Sequence, residues 1–268
     1  MDGWVKIDGG QAVKYVNRRN IVSLNEGNGI VAVLRNGDTV RMKELPQDKP
    51  TAKSYIQDGL VAIWDGIENA GWGVHDANAR VWKDLVGSCD LTLNASFAEV
   101  LADGIRRETT SAHGPVASLS FTYAAPMTME MCTTTPASLV SGSQVLLSVY
   151  PVNQSTNKVP CLVVKTARFF QWSFSYDNQK TVFPPSTTVS LAATSQGYGY
   201  ANGIRATAGS TDKWSFPYNT LCILGDGRNQ NYSPFGFTAH CVRIYSRALT
   251  ADEIAANYAI DKERFNFP

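Results

Sequence analysis

The C-terminal stretch from Gly236 to Arg264 constrains the fold of this chain more than any other part of the sequence. Residues 239–245 mix β-branched and aromatic side chains that alternate between two sets, which is typical of a strand with two different faces. Thr250 and Glu253 have the spacing of a capping box, and apolar residues follow at helical intervals. The stretch therefore predicts a strand, a tight corner and a short helix that closes the fold.

Three segments share their patterns with one known family. Residues 243–254 read Arg-Ile-Tyr-x-Arg-x-Leu-Thr-x-x-Glu-Ile, residues 198–205 are a Tyr-rich segment that turns at Asn-Gly, and residues 58–64 with 82–87 give an opening strand and an Asp-x-x-Gly loop. Together they resemble the laminin-G-like, concanavalin A-like lectin/glucanase domains over 55–268. The resemblance implies an all-β fold, a two-sheet concanavalin A-like jelly-roll sandwich with a short C-terminal helix.

The chain divides by composition into three parts. Residues 1–45 contain short strand-like runs and an Asn36-Gly37 turn signal, and they predict a small β-meander that precedes the sandwich. Residues 46–54 form a polar linker with two prolines. The sandwich then occupies 55–268. Because 1–45 is short for an independent domain, we expect it to pack against the sandwich or a partner.

Composition and charge exclude several classes of protein. Apolar residues make up 44% of the 268 residues and charged residues 18%, which is typical of a globular chain. The net charge of +1 provides no large field to attract nucleic acid or an anionic membrane. No apolar run is long enough to span a membrane, and the N-terminus lacks the pattern of a secretory signal.

Cysteine and carboxylate positions bear on metals and disulfides. The five cysteines lack CxxC spacing, which favours buried thiols over a disulfide framework and makes a zinc site unexpected. No cofactor is expected from the sequence, although calcium is possible because hard cations take oxygen ligands from loops. The candidate ligands are Asp65, Asp76 and Asp84, or Asp226 and Asn229. Turn formation is the alternative role of these residues.

The sequence predicts no enzyme and no catalytic residue. A glycoside hydrolase of this fold needs two carboxylates across one strand face, and the glucanase branch carries Glu-x-Asp-x-x-Glu on a strand. Glu130 lies in a strand-like run but has no carboxylate two or four residues further on. His75, His113 and His240 are isolated in sequence, so each is expected to be a hydrogen-bonded or surface histidine.

Aromatic and amide residues concentrate in the predicted loops and hairpins of 196–232. Aromatic faces and amide or carboxylate groups are what a sugar ring requires, so this rim is the predicted ligand-binding site. Its candidate residues are Tyr198, Tyr200, Trp214, Tyr218, Asp226, Asn229 and Tyr232. Packing inside the domain is the alternative role of each ring.

A second aromatic position lies in the long loop of residues 65–80, which holds Trp72, His75 and Asp76. A loop of this length in a compact domain is either functional or anchored by its aromatic residues.

The function predicted from these observations is non-catalytic recognition of a glycan or cell-surface ligand. The resemblance extends to phage and prophage structural proteins, which implies a virion protein made in the cytoplasm, in a tail, fibre or head decoration. The N-terminal module would then attach the chain to other virion structural proteins, and a homo-oligomer is expected. The alternatives are a glycoside hydrolase or lyase with an unrecognised site, a purely structural decoration protein, and a cytoplasmic location.

Overall fold

The structure is a computed structural model that describes residues 4–8, 13–17, 21–25, 30–34, 39–42, 49–108, 116–123, 126–138, 144–150, 161–165, 169–172, 184–205, 218–225, 234–265 and 267. The chain separates into two compact units, Met1–Lys49 and Pro50–Pro268. Residues 50–54 of the predicted linker therefore belong to the second unit, where Ala52–Ser54 forms one 3₁₀ turn capped by Thr51.

The first unit contains five described strands, all paired antiparallel. β1 pairs with β2, and β3, β4 and β5 follow one another in a second small sheet. The five strands are β1 Trp4–Asp8, β2 Val13–Asn17, β3 Ile21–Asn25, β4 Ile30–Leu34 and β5 Thr39–Met42.

In its described residues the second unit is a β-sandwich with one α-helix, as the sequence predicts. Its helix is α1 Ala251–Arg264. Its strands are β6 Leu60–Asp65, β7 Val81–Trp82, β8 Leu91–Thr92, β9 Ala98–Leu101, β10 Gly104–Arg107, β11 Ala117–Tyr123, β12 Thr128–Thr134, β13 Gln144–Tyr150, β14 Cys161–Lys165, β15 Phe169–Trp172, β16 Thr188–Thr194, β17 Gly199–Ala201, β18 Ile204–Arg205, β19 Tyr218–Ile223 and β20 Thr238–Tyr245.

The larger sheet is organised around β20. Its strand order is β18-β17-β16-β12-β20-β10-β9, and β6 pairs with β20 beside β10. β12 pairs along the whole of β20, while β10 pairs with its first residues and β6 with its last five, Cys241 to Tyr245. The final strand of the sequence therefore lies in the middle of the sheet and joins the beginning, middle and end of the unit.

The smaller sheet has the order β11-β19-β13-β14-β15 and covers one face of the larger sheet. Alternate residues of both sheets point into the space between them, as the two-residue period of a strand requires. Met129, Met131 and Val242 of the larger sheet share this core with Leu147 and Leu221 of the smaller sheet. All five residues are fully buried, so the two-sheet jelly-roll prediction is confirmed.

The opposite face of the larger sheet is also buried, because α1 lies on it. Thr250 accepts a hydrogen bond from the backbone of Glu253, whose side chain accepts one in return, so the predicted capping box begins the helix. A second apolar cluster forms here and includes Tyr55, Tyr245 and Ile254. Every residue of β20 is consequently buried, whereas the sequence suggested one apolar and one polar face; the polar face is covered by the helix.

No disulfide joins the five cysteines, and four of their side chains are buried. In the part of the chain that the structure describes, no helix is both long and apolar enough to cross a membrane.

Candidate functional site

The loop of residues 66–80, between β6 and β7, presents an exposed indole and is called the Trp72 loop here. Val74 N donates to Gly71 O at 2.9 Å, and Gly73 has a φ of 70°, which defines a type II turn with Trp72 at its first corner. Trp72 is 37% exposed and Val74 51%. A Cβ atom on Gly71 or Gly73 would meet no atom within 4 Å, so the turn projects from the body of the domain.

Buried side chains hold the Trp72 loop in this conformation. Glu68 is 5% exposed, and its Oε2 accepts a hydrogen bond from Gly73 N at 2.9 Å. The side chain of buried Asn69 accepts from Asp76 N at 2.7 Å and donates to Asp76 O at 2.9 Å. Because these contacts fix both arms of the turn, a ligand on Trp72 would not have to order the loop first.

The 3₁₀ turn of Ala52–Ser54 supplies a cation to the same surface. The Lys53 ammonium lies 5.0 Å from the centroid of the Trp72 ring, within the range of a cation–π contact. Ala52 N donates to Glu68 Oε1 at 2.9 Å. The carboxylate of Glu68 therefore fixes the residue before Lys53 and the residue after Trp72 at once.

Exposed hydrogen-bonding side chains follow Trp72 along the same loop. His75 Nδ1 lies 3.1 Å from Gly66 O, an acceptor, so Nδ1 donates and Nε2 faces away from this bond. Asp76 Oδ1 accepts from Asn78 N at 2.8 Å, which leaves its second oxygen outside that turn. The exposed side chains of Lys53, Trp72, Val74, His75, Asp76 and Asn78 are together called the Trp72 surface.

The carboxylates considered for calcium have structural roles in the described loops. Asp65 Oδ1 accepts from Ile67 N and Glu68 N, and Oδ2 pairs with Arg264 at 2.8 Å. Asp84 accepts from the backbone of Ile63, Val86 and Cys89. Among the described residues no group of three or more His, Cys, Asp or Glu side chains is arranged to hold a metal ion.

The predicted rim of 196–232 lies only partly in the described structure. The hairpin of β17 and β18 turns at Asn202-Gly203, both with positive φ, as predicted. Tyr198 is half-buried and carries the Arg205 guanidinium 3.6 Å from its ring centroid. Tyr200 is only 4% exposed and packs in the cluster beneath α1, so little of its ring is offered to a ligand.

The structure describes no side-chain contacts for the other predicted rim residues. Tyr218 begins β19, while Trp214, Asp226, Asn229 and Tyr232 lie outside the described residues. Ligand binding by this set stays a prediction.

A fully buried polar cluster, called the α1 network, joins the larger sheet to the helix. Arg243 donates to Glu130 Oε2 at 2.7 Å and to both Asp261 oxygens at 2.6 and 2.8 Å. Asn257 donates to Glu130 Oε2 and to the Tyr245 hydroxyl. Arg247 lies outside this network and pairs with Glu253.

Burial and ion pairing shift the pKa values in the α1 network. Burial raises the pKa of Glu130, although Arg243 and Asn257 oppose this shift. Burial alone would lower the pKa of Arg243, but Asp261 and Glu130 raise it above its ordinary value. Glu130 is therefore a partner of a buried guanidinium and is 1% exposed.

His240 forms a second polar arrangement, at the edge of the helix-covered face. Its Nδ1 lies 2.9 Å from the carbonyl oxygen of Asp103, so Nδ1 donates and Nε2 accepts from the Thr134 hydroxyl at 2.7 Å. Thr134 Oγ1 also lies 2.9 Å from Thr188 Oγ1. Burial lowers the pKa of His240 and favours the neutral imidazole. A half-buried hydroxyl thus faces a neutral base.

Sequence reasoning named Trp72, His75 and Asp76 but missed Lys53, which it placed in the linker. The signal for Lys53 is the Thr51-x-x-Ser54 spacing, which forms the cap of the 3₁₀ turn. The contacts of Glu68 and Asn69 had no signal, since they depend on the folded path of the loop.

No protein-family model matches the sequence, and no curated protein sequence matches it. Solved structures do resemble the fold. Trypanosoma rangeli sialidase in complex with sialic acid is 17% identical with a TM-score of 0.57, and its covalent intermediate with 2,3-difluorosialic acid is 16% identical with a TM-score of 0.56. Both likenesses cover 78% of this chain and 33% of the sialidase, so the chain spans about a third of the proteins it matches.

A further likeness is domain 4 of an arabinanase from Geobacillus stearothermophilus in complex with arabinotriose. It is 15% identical and covers 75% of this chain and 98% of that domain, with a TM-score of 0.42, which is too low to indicate a shared fold.

The comparisons contradict the prediction on catalysis and support the predicted family only at the level of its fold. The prediction that the protein is no enzyme is contradicted, because the sialidases that share this fold are enzymes. The missing glucanase pattern excludes only that branch's chemistry. At such low identity the likeness shows the fold alone. It agrees with a lectin-type sandwich, while the laminin-G-like assignment and the phage link gain no match.

Proposed function

We propose that the sandwich unit recognises a glycan and that the Trp72 surface is its binding site. The observation that carries this proposal is an exposed indole on a loop fixed by buried Glu68 and Asn69. Aromatic side chains with a polar group, such as the indole of Trp, combine apolar area with hydrogen bonding, and this makes a ring fixed at a surface suited to recognition.

The chemistry of the Trp72 surface suits a sugar. The face of the indole can pack against the C–H groups of a pyranose ring, and His75, Asp76 and Asn78 provide donors and acceptors for hydroxyl groups. The occurrence of this fold in sialidases supports a carbohydrate ligand without identifying it.

A glycan array probed with the intact chain tests the proposal. We expect binding to at least one glycan, lost in Trp72→Ala and kept in Val86→Ala. Val86 is the matched control because it is an exposed apolar residue, 41% accessible, in a different loop. A blank array with folded intact protein would refute glycan recognition, and equal binding by the Trp72→Ala variant would move the site elsewhere, with the 196–232 rim as the next candidate.

Hydrolysis of an ester on a glycan is the second candidate function, and the contact between Thr134 and His240 is the observation that favours it. Among the described residues, Thr134 and His240 have the geometry of a hydroxyl activated by a neutral imidazole. Such a pair suits attack on an acyl ester of a sugar: Thr134 Oγ1 bonds to the acyl carbon, the ester C–O bond breaks, and Nε2 passes the hydroxyl proton to the leaving sugar alkoxide. Water then hydrolyses the acyl-threonine and releases the acid.

The second candidate is tested on acetylated xylan and on nitrophenyl acetate with the intact chain. Ester turnover abolished by Thr134→Val and kept by Thr188→Val would support it, since only Thr134 contacts the imidazole. No turnover of either substrate would remove this candidate and leave recognition.

The narrower virion hypothesis also remains a proposal. The observation behind it is the division of the chain into two units, which would let 1–49 attach and 50–268 be displayed. Mass spectrometry of purified phage particles would detect the chain if the hypothesis holds, and its absence from particles of a producing host would reject it.

A further inference from the structure

The positive charge at the Trp72 surface bears on the charge of the ligand, which the aromatic ring alone does not. Lys53 is exposed and lies over the indole. Within the described structure its ammonium pairs with no carboxylate, whereas Lys83 pairs with Asp90 and Arg264 with Asp65. A solvated cation beside an aromatic face attracts an anionic group to that face.

The buried acid Glu68 supports this surface, and its carboxylate oxygens are already engaged by other groups. Its Oε1 lies 3.3 Å from the Arg264 guanidinium and accepts from Ala52 N, and its Oε2 accepts from Gly73 N. The carboxylate is 7% exposed and faces inward. Glu68 therefore positions Lys53 and Trp72 without neutralising the ammonium.

We propose that the Trp72 surface takes an acidic saccharide, whose ring packs on Trp72 while its carboxylate or sulfate pairs with Lys53. This inference rests on the proposed glycan recognition and adds the charge of the ligand. Asp76, the exposed acid of the loop, can accept hydrogen bonds from sugar hydroxyls and repels an anionic group on its own side, so the acidic group of the ligand would lie at the Lys53 side of the ring.

The test compares pairs of saccharides that differ only in one acidic group. The probes are oligogalacturonides and their methyl esters, sialyllactose and its methyl ester, and N-acetylglucosamine 6-sulfate and N-acetylglucosamine, titrated calorimetrically against the full chain. We expect at least one acidic member to bind about fivefold more tightly than its neutral partner at low salt. The preference should shrink as salt is added, because an exposed ion pair is screened. The pair that shows it identifies carboxylate or sulfate as the source.

Variants separate the charge from the ring. Lys53→Gln should remove the preference for the acidic member, whereas Trp72→Ala should weaken the binding of both members. Lys262→Gln, which removes an exposed lysine on α1, is the matched control and should keep the preference.

Three outcomes overturn the inference. Equal binding of acidic and neutral members by the intact protein does so, as does a preference that survives in Lys53→Gln; both leave glycan recognition standing if Trp72→Ala still loses binding. No binding of any probe or array glycan overturns both proposals together.

Discussion

The face beneath α1 and the Trp72 loop both contain buried carboxylates, but these serve different purposes in the two regions. Beneath α1, carboxylates and guanidinium groups are fully buried and satisfy one another, as Arg243 does with Glu130 and Asp261. In the Trp72 loop a buried carboxylate, Glu68, anchors a turn whose aromatic ring stays exposed. Buried charges in the first region hold the helix to the sheet, and in the second they keep a surface ready for a ligand.

The two regions meet at the end of the helix. Arg264, the last residue of α1, pairs with Asp65 at 2.8 Å and with Glu68 at 3.3 Å. Substitutions beneath α1 should therefore lower stability, and substitutions at Trp72 should lower ligand affinity. Substitutions at Glu68 should lower both.

The largest effect is expected at Arg243. Arg243→Met should destabilise the sandwich by about 3–5 kcal/mol, because Glu130 and Asp261 would be left buried without their cation. Arg247→Met is the control: Arg247 is 26% exposed and pairs with Glu253, so its loss should cost about 1 kcal/mol or less. Urea denaturation of the two variants measures the difference, and equal losses would show that burial of the network is assigned wrongly.

Tyr245→Ala comes next. Tyr245 is fully buried under α1, and its hydroxyl accepts from Asn257. Truncating a buried aromatic side chain should cost about 3 kcal/mol or more. A denaturant midpoint equal to that of the unaltered protein would place this ring at the surface and contradict the covered face.

Glu68→Gln belongs to both regions. It keeps the shape but removes the charge that faces Arg264, so we expect a stability loss of about 1–3 kcal/mol, in the range for a disturbed buried hydrogen bond to a charge. Glycan affinity should fall with it, because Gly73 N and Ala52 N lose a charged acceptor. Calorimetric melting and titration of one preparation measure both; a loss of stability with unchanged affinity would separate the two regions.

Glu253 gives the smallest stability effect and a defined pH dependence. A hydrogen bond from Arg247 lowers the pKa of Glu253 from its ordinary value of 4.5 to about 2. The folded state thus favours the carboxylate, so its contribution is present above pH 4.5 and is lost as the pH falls from 4.5 towards 2. Glu253→Gln should be less stable than the unaltered protein at pH 6, with the gap closing by pH 2. A constant gap would reject this assignment.

Local signals in the sequence anticipated much of the fold. The capping box of Thr250 and Glu253 and the Asn202-Gly203 turn depend on neighbouring residues, so spacing reveals them. The spacing of apolar residues did not identify most of the inward face of α1, because the polar residues Asn257, Asp261 and Arg264 lie on it. Glu130 and Arg243 are 113 residues apart, and only the pairing of β12 with β20 brings them together.

The candidate site likewise combines a residue that local sequence indicates with one that only the folded chain brings near. The composition of the loop pointed to Trp72, while the cation beside it comes from a segment that reads as a linker. Lys53 and Trp72 approach because Glu68 binds the backbone next to each of them, a contact that no local pattern encodes.

The central claim, that the Trp72 surface is a binding site held ready by buried anchors, is tested most directly by Trp72→Ala. Glycan affinity and thermal melting are measured on the same preparation. We expect affinity to fall by about 1–3 kcal/mol, the range for an interface anchor, with a much smaller loss of melting temperature than in Tyr245→Ala, because Trp72 is 37% exposed and Tyr245 is fully buried. A lowered melting temperature with unchanged affinity would contradict the claim and assign the indole to packing.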